Sequence, residues 1–112
     1  AESTQPESKL DDAVKAIARE LLVLTEGDRK DPRHRKLFPV TPTAMMRPVG
    51  GEAQDRAVRG LVDRLEHDVD FKALKGHARE LTKRADRMQK YFKRLINHVV
   101  SHAHNMNLER TN

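Results

Sequence analysis

The chain has 112 residues, no cysteine, no tryptophan and only one tyrosine and three phenylalanines. That length suits one domain with one hydrophobic core, and the missing cysteine excludes disulfides, thiolate chemistry and cysteine-based zinc sites. With 35% charged residues and a formal charge of +5, the protein is basic but mixed, so the placement of its charges matters more than their sum.

Residues 1 to 7 are small and polar with one proline, which reads as a frayed tail. They lack the charged and apolar regions of a signal peptide; the chain begins at Ala1 rather than Met, which leaves initiator removal or signal cleavage open, and the location is unknown with the cytoplasm favoured. Ser8 with Asp11 three positions later resembles a capping box with Asp in place of Glu. Gly27 stands where a left-handed terminal residue belongs, and a first helix is expected over about residues 8 to 27. Leu10, Val14, Ile17, Leu21 and Leu24 step by four, three, four and three, which places them on one helical face. Ala13, Leu22 and Val23 widen that face toward a second neighbour. The longest apolar stretch, Leu21 to Leu24, is far short of the roughly 20 residues that cross a bilayer, so no membrane span is expected.

Residues 28 to 51 hold four of the five prolines, which forbids a long helix. Six basic residues against two acidic ones leave this loop at about +4. Leu37, Phe38, Val40, Met45, Met46 and Val49 supply apolar anchors that a disordered linker lacks. The loop therefore either packs over the end of a bundle or, through Leu37, Phe38, Val40, Met45 and Met46, binds a partner. Thr41 before Pro42 suits a cap and a first helical position, and one turn of helix is expected through Met46. The basic run Arg29, Lys30, Arg33, His34, Arg35 and Lys36, interrupted by Asp31 and Pro32, reads as solubilising residues or as a phosphate-binding patch.

A second helix is expected over about residues 53 to 67, with Val58, Leu61, Val62 and Leu65 inward and Gly60 as a weak point. Asp68 to Asp70 breaks the pattern, and Asp70 is the expected N-cap of the third helix, over about residues 71 to 104. This last segment follows a heptad. Its a positions are Phe71, Ala78, Ala85, Phe92, Val99 and Met106, and its d positions are Leu74, Leu81, Met88, Leu95 and His102. Phe92, the largest apolar side chain in mid-seam, is expected at the centre of the core. Unbroken, the helix is about 50 Å long at 1.5 Å per residue. Gly76 threatens it with a kink or a later start at His77.

The fold expected is all-α, a small bundle of about three helices in a single domain, with a long C-terminal heptad helix. Either the long helix projects beyond the other two, or two chains join their long helices. The mix of Phe and Ala at a is unlike the β-branched layers of parallel two-stranded zippers. Flanking positions such as Thr82, Gln89, Tyr91, Ile96, Ala103 and Asn105 carry no complementary charge, so the wide apolar face suits a multi-helix bundle.

From Phe71 to His104 nine Lys or Arg face Glu80 and Asp86, leaving about +7. Lys72, Arg79, Lys83, Arg87, Lys90, Lys93 and Arg94 fall opposite the seam, forming a strip that either tracks a phosphate backbone or is a solvated helix face. Stacking residues are too few for sequence-specific reading, so any nucleic-acid binding is expected to be non-specific. His98 and His102, one turn apart, have the spacing of two metal ligands but lack a recognisable third. No catalytic constellation or cofactor motif is present: Ser101 beside His102 point about 100° apart on a helix, and Gly50 and Gly51 lack the rest of a phosphate loop. The expectation is a non-enzymatic helical interaction or oligomerisation module that docks a protein partner or a second copy. The alternatives are a basic helical protein binding nucleic acid or another polyanion, and a histidine-based metal-binding bundle.

Overall fold

The computed structural model describes residues 6–47 and 51–111, with side chains as far as Ala103. Val49, the tail before Pro6 and the side chains of His104, Asn105 and Met106 lie outside the described residues. Every regular element described is helical: α1 (Pro6–Leu24), α2 (Pro32–Leu37), α3 (Pro42–Met46), α4 (Glu52–His67), a 3-10 turn (Val69–Leu74) and α5 (His77–Thr111). Five α-helices thus stand where about three were expected. No helix among the described residues is long and apolar enough to cross a membrane.

α1 is already helical at Pro6, ahead of the expected cap at Ser8, and proline is suited to a first helical turn. It ends at Leu24, short of residue 27, in a Schellman closure: Gly27 N donates to Leu22 O at 2.8 Å and Glu26 N to Val23 O at 3.0 Å. The left-handed residue after the helix is therefore Glu26 (φ 55°), with Gly27 (φ 80°) following. Thr25 is buried below this turn, with its hydroxyl 3.0 Å from Leu21 O and 2.8 Å from Nε2 of His34.

The expected turn at Thr41–Pro42 is α3, capped by the Thr41 hydroxyl accepting from Ala44 N at 3.2 Å. Asp31–Pro32 makes the same kind of start for α2: the Asp31 carboxylate accepts from Arg33 N at 2.9 Å and from the Arg33 guanidinium at 2.8 Å. Two short helices thus occupy much of the expected loop. They fold back onto the body, α2 touching α4 and α3 touching both α1 and α4. Arg64 Nε donates to Leu37 O at 3.0 Å, tying α4 to the end of α2.

α4 runs through Gly60 without a break. The N-cap after it is Asp68, not Asp70: Asp68 accepts from Asp70 N at 2.9 Å, while Asp70 accepts from Lys36 Nζ at 2.7 Å. Lys36 also lies 3.2 Å from Asp68, so one lysine fastens α2 to the turn. Non-helical backbone at Phe71 (φ −112°, ψ 19°) kinks this turn within itself, and Lys75 and the exposed Gly76 separate it from α5. The long helix therefore begins at His77 rather than at residue 71.

α1 and α4 both pack on α5. Leu10, Val14, Ile17 and Leu21 from α1 meet Val58, Leu61 and Leu65 from α4 and the seam residues Phe71, Leu74, Ala78, Leu81, Ala85 and Met88 in one core. Glu20 and His77 pair across the start of α5. The molecule measures 66 × 27 × 22 Å, and its long axis reflects α5, whose 35 residues span about 52 Å.

Candidate interaction surfaces on the long helix

Burial along the heptad seam changes abruptly. Phe71, Leu74, Ala78, Leu81, Ala85 and Met88 are all buried. Phe92 is only half-buried, so it edges the core rather than centring it. Beyond it Leu95 is 45% exposed and Val99 62%, and His102 is exposed. Ile96 and Val100, beside the seam, are also exposed. The reason is length: 19 residues of α1 and 16 of α4 cannot cover a helix of 35. From Leu95 to Ala103 the projecting face contains no Lys, Arg, Asp or Glu.

Where α5 leaves the bundle, a groove of about 530 Å³ opens between it and the first turns of α1 and α4. Leu10, Val58, Met88, Phe92 and Ile96 give it an apolar floor, and Glu52, Asp55, Arg56 and Lys93 stand at its rim. The groove runs into the exposed seam because Phe92 and Ile96 belong to both.

The cationic strip faces the other way, with Lys93 at its edge nearest the groove. Arg79, Lys83, Arg87, Lys90, Lys93 and Arg94 are all exposed, and at 3.6 residues per turn they share about 120° of arc opposite the seam. Among the described residues none of them pairs with a carboxylate. Lys72 is exposed too, but it lies in the 3-10 turn and falls off the axis of α5. The two acidic residues of the region are engaged: Glu80 accepts from Arg84 at 2.7 Å, and Asp86 pairs with Arg59 of α4 at 2.8 Å. Burial works against the Arg59 charge, but its hydrogen bond to Asp86 and the nearby Asp55 outweigh that and raise its pKa.

The basic run near α2 is more compensated. Arg33 is held by Asp31, Lys36 by Asp68 and Asp70, and His34 meets Thr25, whereas Arg29, Lys30 and Arg35 are exposed. Of the expected loop anchors, Leu37, Phe38 and Met45 are buried in the core, Met46 is half-buried and Val40 is exposed. Their contacts are thus largely within the chain. His98 and His102 are both exposed on the projecting part of α5, and no group of three or more His, Asp or Glu among the described residues is placed to hold a metal ion.

The Arg59–Asp86 pair and the groove were not foreseen from the sequence. Ile96 carried a weak signal, being apolar at a flanking heptad position where a charge is usual. Comparison with family models, with curated proteins and with solved structures gives no match.

Proposed function

We propose that this chain is a non-enzymatic helical interaction module that docks a second copy of itself through the projecting half of α5. The observation that carries the proposal is the continuity of one heptad seam from buried Leu81 and Met88 into exposed Leu95 and Val99. Apolar side chains at helical spacing gain free energy only when something covers them. The exposed patch, on the order of a few hundred Å², is of the size that marks interaction sites on monomers.

Steric room favours a second copy in antiparallel orientation. A parallel pair brings the α1 and α4 helices of one chain, which cover the same face of α5 up to Met88, against those of the other. An antiparallel pair crossing at Val99 puts the two bodies at opposite ends, with the two Phe92 positions about 21 Å apart along the axis. What then meets is the uncharged stretch from Leu95 to Ala103. This patch alone falls short of the roughly 800 Å² per partner of a standard interface. The partner helix accordingly runs on into the groove beside Phe92, which lies next in line along α5.

Sedimentation equilibrium across a concentration series tests this. The wild type should approach twice the 12.8 kDa chain mass, and Val99→Glu should return it to the monomer without lowering the melting temperature at protein concentrations where the wild type is monomeric too, since Val99 is largely exposed. A wild type that stays monomeric at the highest attainable concentration overturns self-docking and leaves the face to a protein of different sequence.

A further inference from the structure

A second surface on α5 is independent of the seam and points to a different class of partner. We infer that the outer face of α5, from Arg79 to Arg94, binds the phosphate backbone of duplex nucleic acid without reading its sequence. Six cations are spread over 15 helical steps, about 22 Å at 1.5 Å per residue, or one per roughly 4 Å. A duplex strand presents one phosphate per about 3.4 Å of axis. Measured along the duplex axis, the spacing of the cations is thus close to that of one strand's phosphates.

The structure adds what a charge count does not. An array of lysines and arginines on a helix is ordinarily compensated by carboxylates one turn away. Here Glu80 is occupied by Arg84, Asp86 lies within the arc but is occupied by Arg59 from α4, and all six cations are left without a carboxylate among the described residues. Neutralising Asp86 from outside the helix preserves the field of the strip. Counterions condensed on a duplex are released when such cations replace them, and that release drives binding.

The geometry also separates this partner from a membrane. A helix lying on anionic lipid needs its apolar face turned toward the acyl chains, with basic residues at the boundary. Over Arg79 to Met88 the apolar face of α5 is buried by α1 and α4, and the cations stand on the opposite side. The strip carries no aromatic residue on which unpaired bases could stack, since Phe92 and Tyr91 are half-buried off its arc. Duplex backbone is the polyanion that needs neither apolar insertion nor stacking.

The test is fluorescence anisotropy of a mixed-sequence duplex across a salt series. Each phosphate neutralised contributes about 0.9 to the log-log slope, so contacts from three to six of the cations give a slope between about −3 and −5. The variant Lys83→Gln/Lys90→Gln/Arg94→Gln should flatten it by about 2 to 3, with an unchanged circular dichroism spectrum. A control removing the same charge elsewhere, Arg29→Gln/Lys30→Gln/Arg35→Gln, should leave the slope nearly as it was. Equal flattening by both variants reduces the effect to net charge and overturns the site. So does a salt-independent affinity, or binding to phosphatidylserine vesicles or polyglutamate as tight as to the duplex. The Val99→Glu monomer should retain duplex binding, so the self-docking proposal and this one can fail separately.

Discussion

Leu81 and Leu95 occupy the same heptad position two turns of the repeat apart, so truncating each to alanine compares one chemical change in two environments. Leu81 is 0% exposed and Leu95 45%. For Leu81→Ala, the lost transfer free energy adds to the cavity left in a packed interior, and about 3 to 4 kcal/mol is expected. For Leu95→Ala roughly half of a leucine's 1.5 to 3 kcal/mol of burial is at stake, and no enclosed cavity forms. Alanine returns a few tenths through its higher helix propensity, which leaves a loss of about 0.5 to 1.3 kcal/mol. Urea unfolding followed by circular dichroism at low protein concentration measures both, provided the m-values agree. A Leu95→Ala loss equal to that of Leu81→Ala would mean that the seam is covered beyond Met88, contrary to the structure. Repeated at high concentration, the Leu95→Ala loss should grow under the proposed self-docking, because association would then stabilise the wild type by mass action.

Phe71→Ala, at a fully buried site, should cost about 3 to 5 kcal/mol by thermal or urea unfolding, and Phe92→Ala distinctly less. Glu26→Gly should stabilise by about 0.5 to 1 kcal/mol, because relief of the left-handed backbone outweighs the freedom gained by the unfolded chain. The Asp31 carboxyl is held down to about 2 by the hydrogen bond from the Arg33 side chain and then by that from its backbone N–H. A depressed carboxylate stabilises fully above its unfolded value near 4 and loses that contribution as the pH falls through its folded value. The stability gap between wild type and Asp31→Asn should thus be constant above about pH 5 and close between about pH 4 and 2. Saturating zinc should leave the melting temperature unchanged, since His98 and His102 have no third ligand placed beside them among the described residues; a rise abolished by His102→Ala refutes this.

Periodicity was enough to place α1, α4 and α5, because helices that bury one side must repeat their apolar residues at 3.6. Capping chemistry was legible only where it was read as such: Thr41–Pro42 announced α3, while the equivalent Asp31–Pro32 passed for an interruption in a basic run. Phe92 shows a deeper limit. A heptad states which residues share a side, but where burial stops depends on how far other helices reach, and α1 and α4 reach roughly 28 and 24 Å along a helix of about 52 Å. The same holds for the strip. Its six helical members follow from spacing alone, yet Lys72 drops out through the backbone at Phe71, and the pairing of Asp86 with Arg59 depends on how α4 lies against α5.

The uneven cover of α5 also divides its backbone into two kinetic regimes. Around Leu81 an amide can exchange only when neighbouring helices move away, at close to the free energy of global unfolding. Past Phe92, among the described residues, the apolar face of α5 is left largely exposed, and a helix without tertiary support is marginal in water. Ile96, Val99 and Val100 are β-branched and Asn97 and Ser101 compete for backbone hydrogen bonds, so intrinsic propensity lends little help there. Hydrogen exchange should therefore quicken in steps along a single element, which makes the helix its own occupancy gauge. Protection that arrives at Ile96 and Val100 while Leu81 is unchanged would mark the moment a docked chain closes over the face.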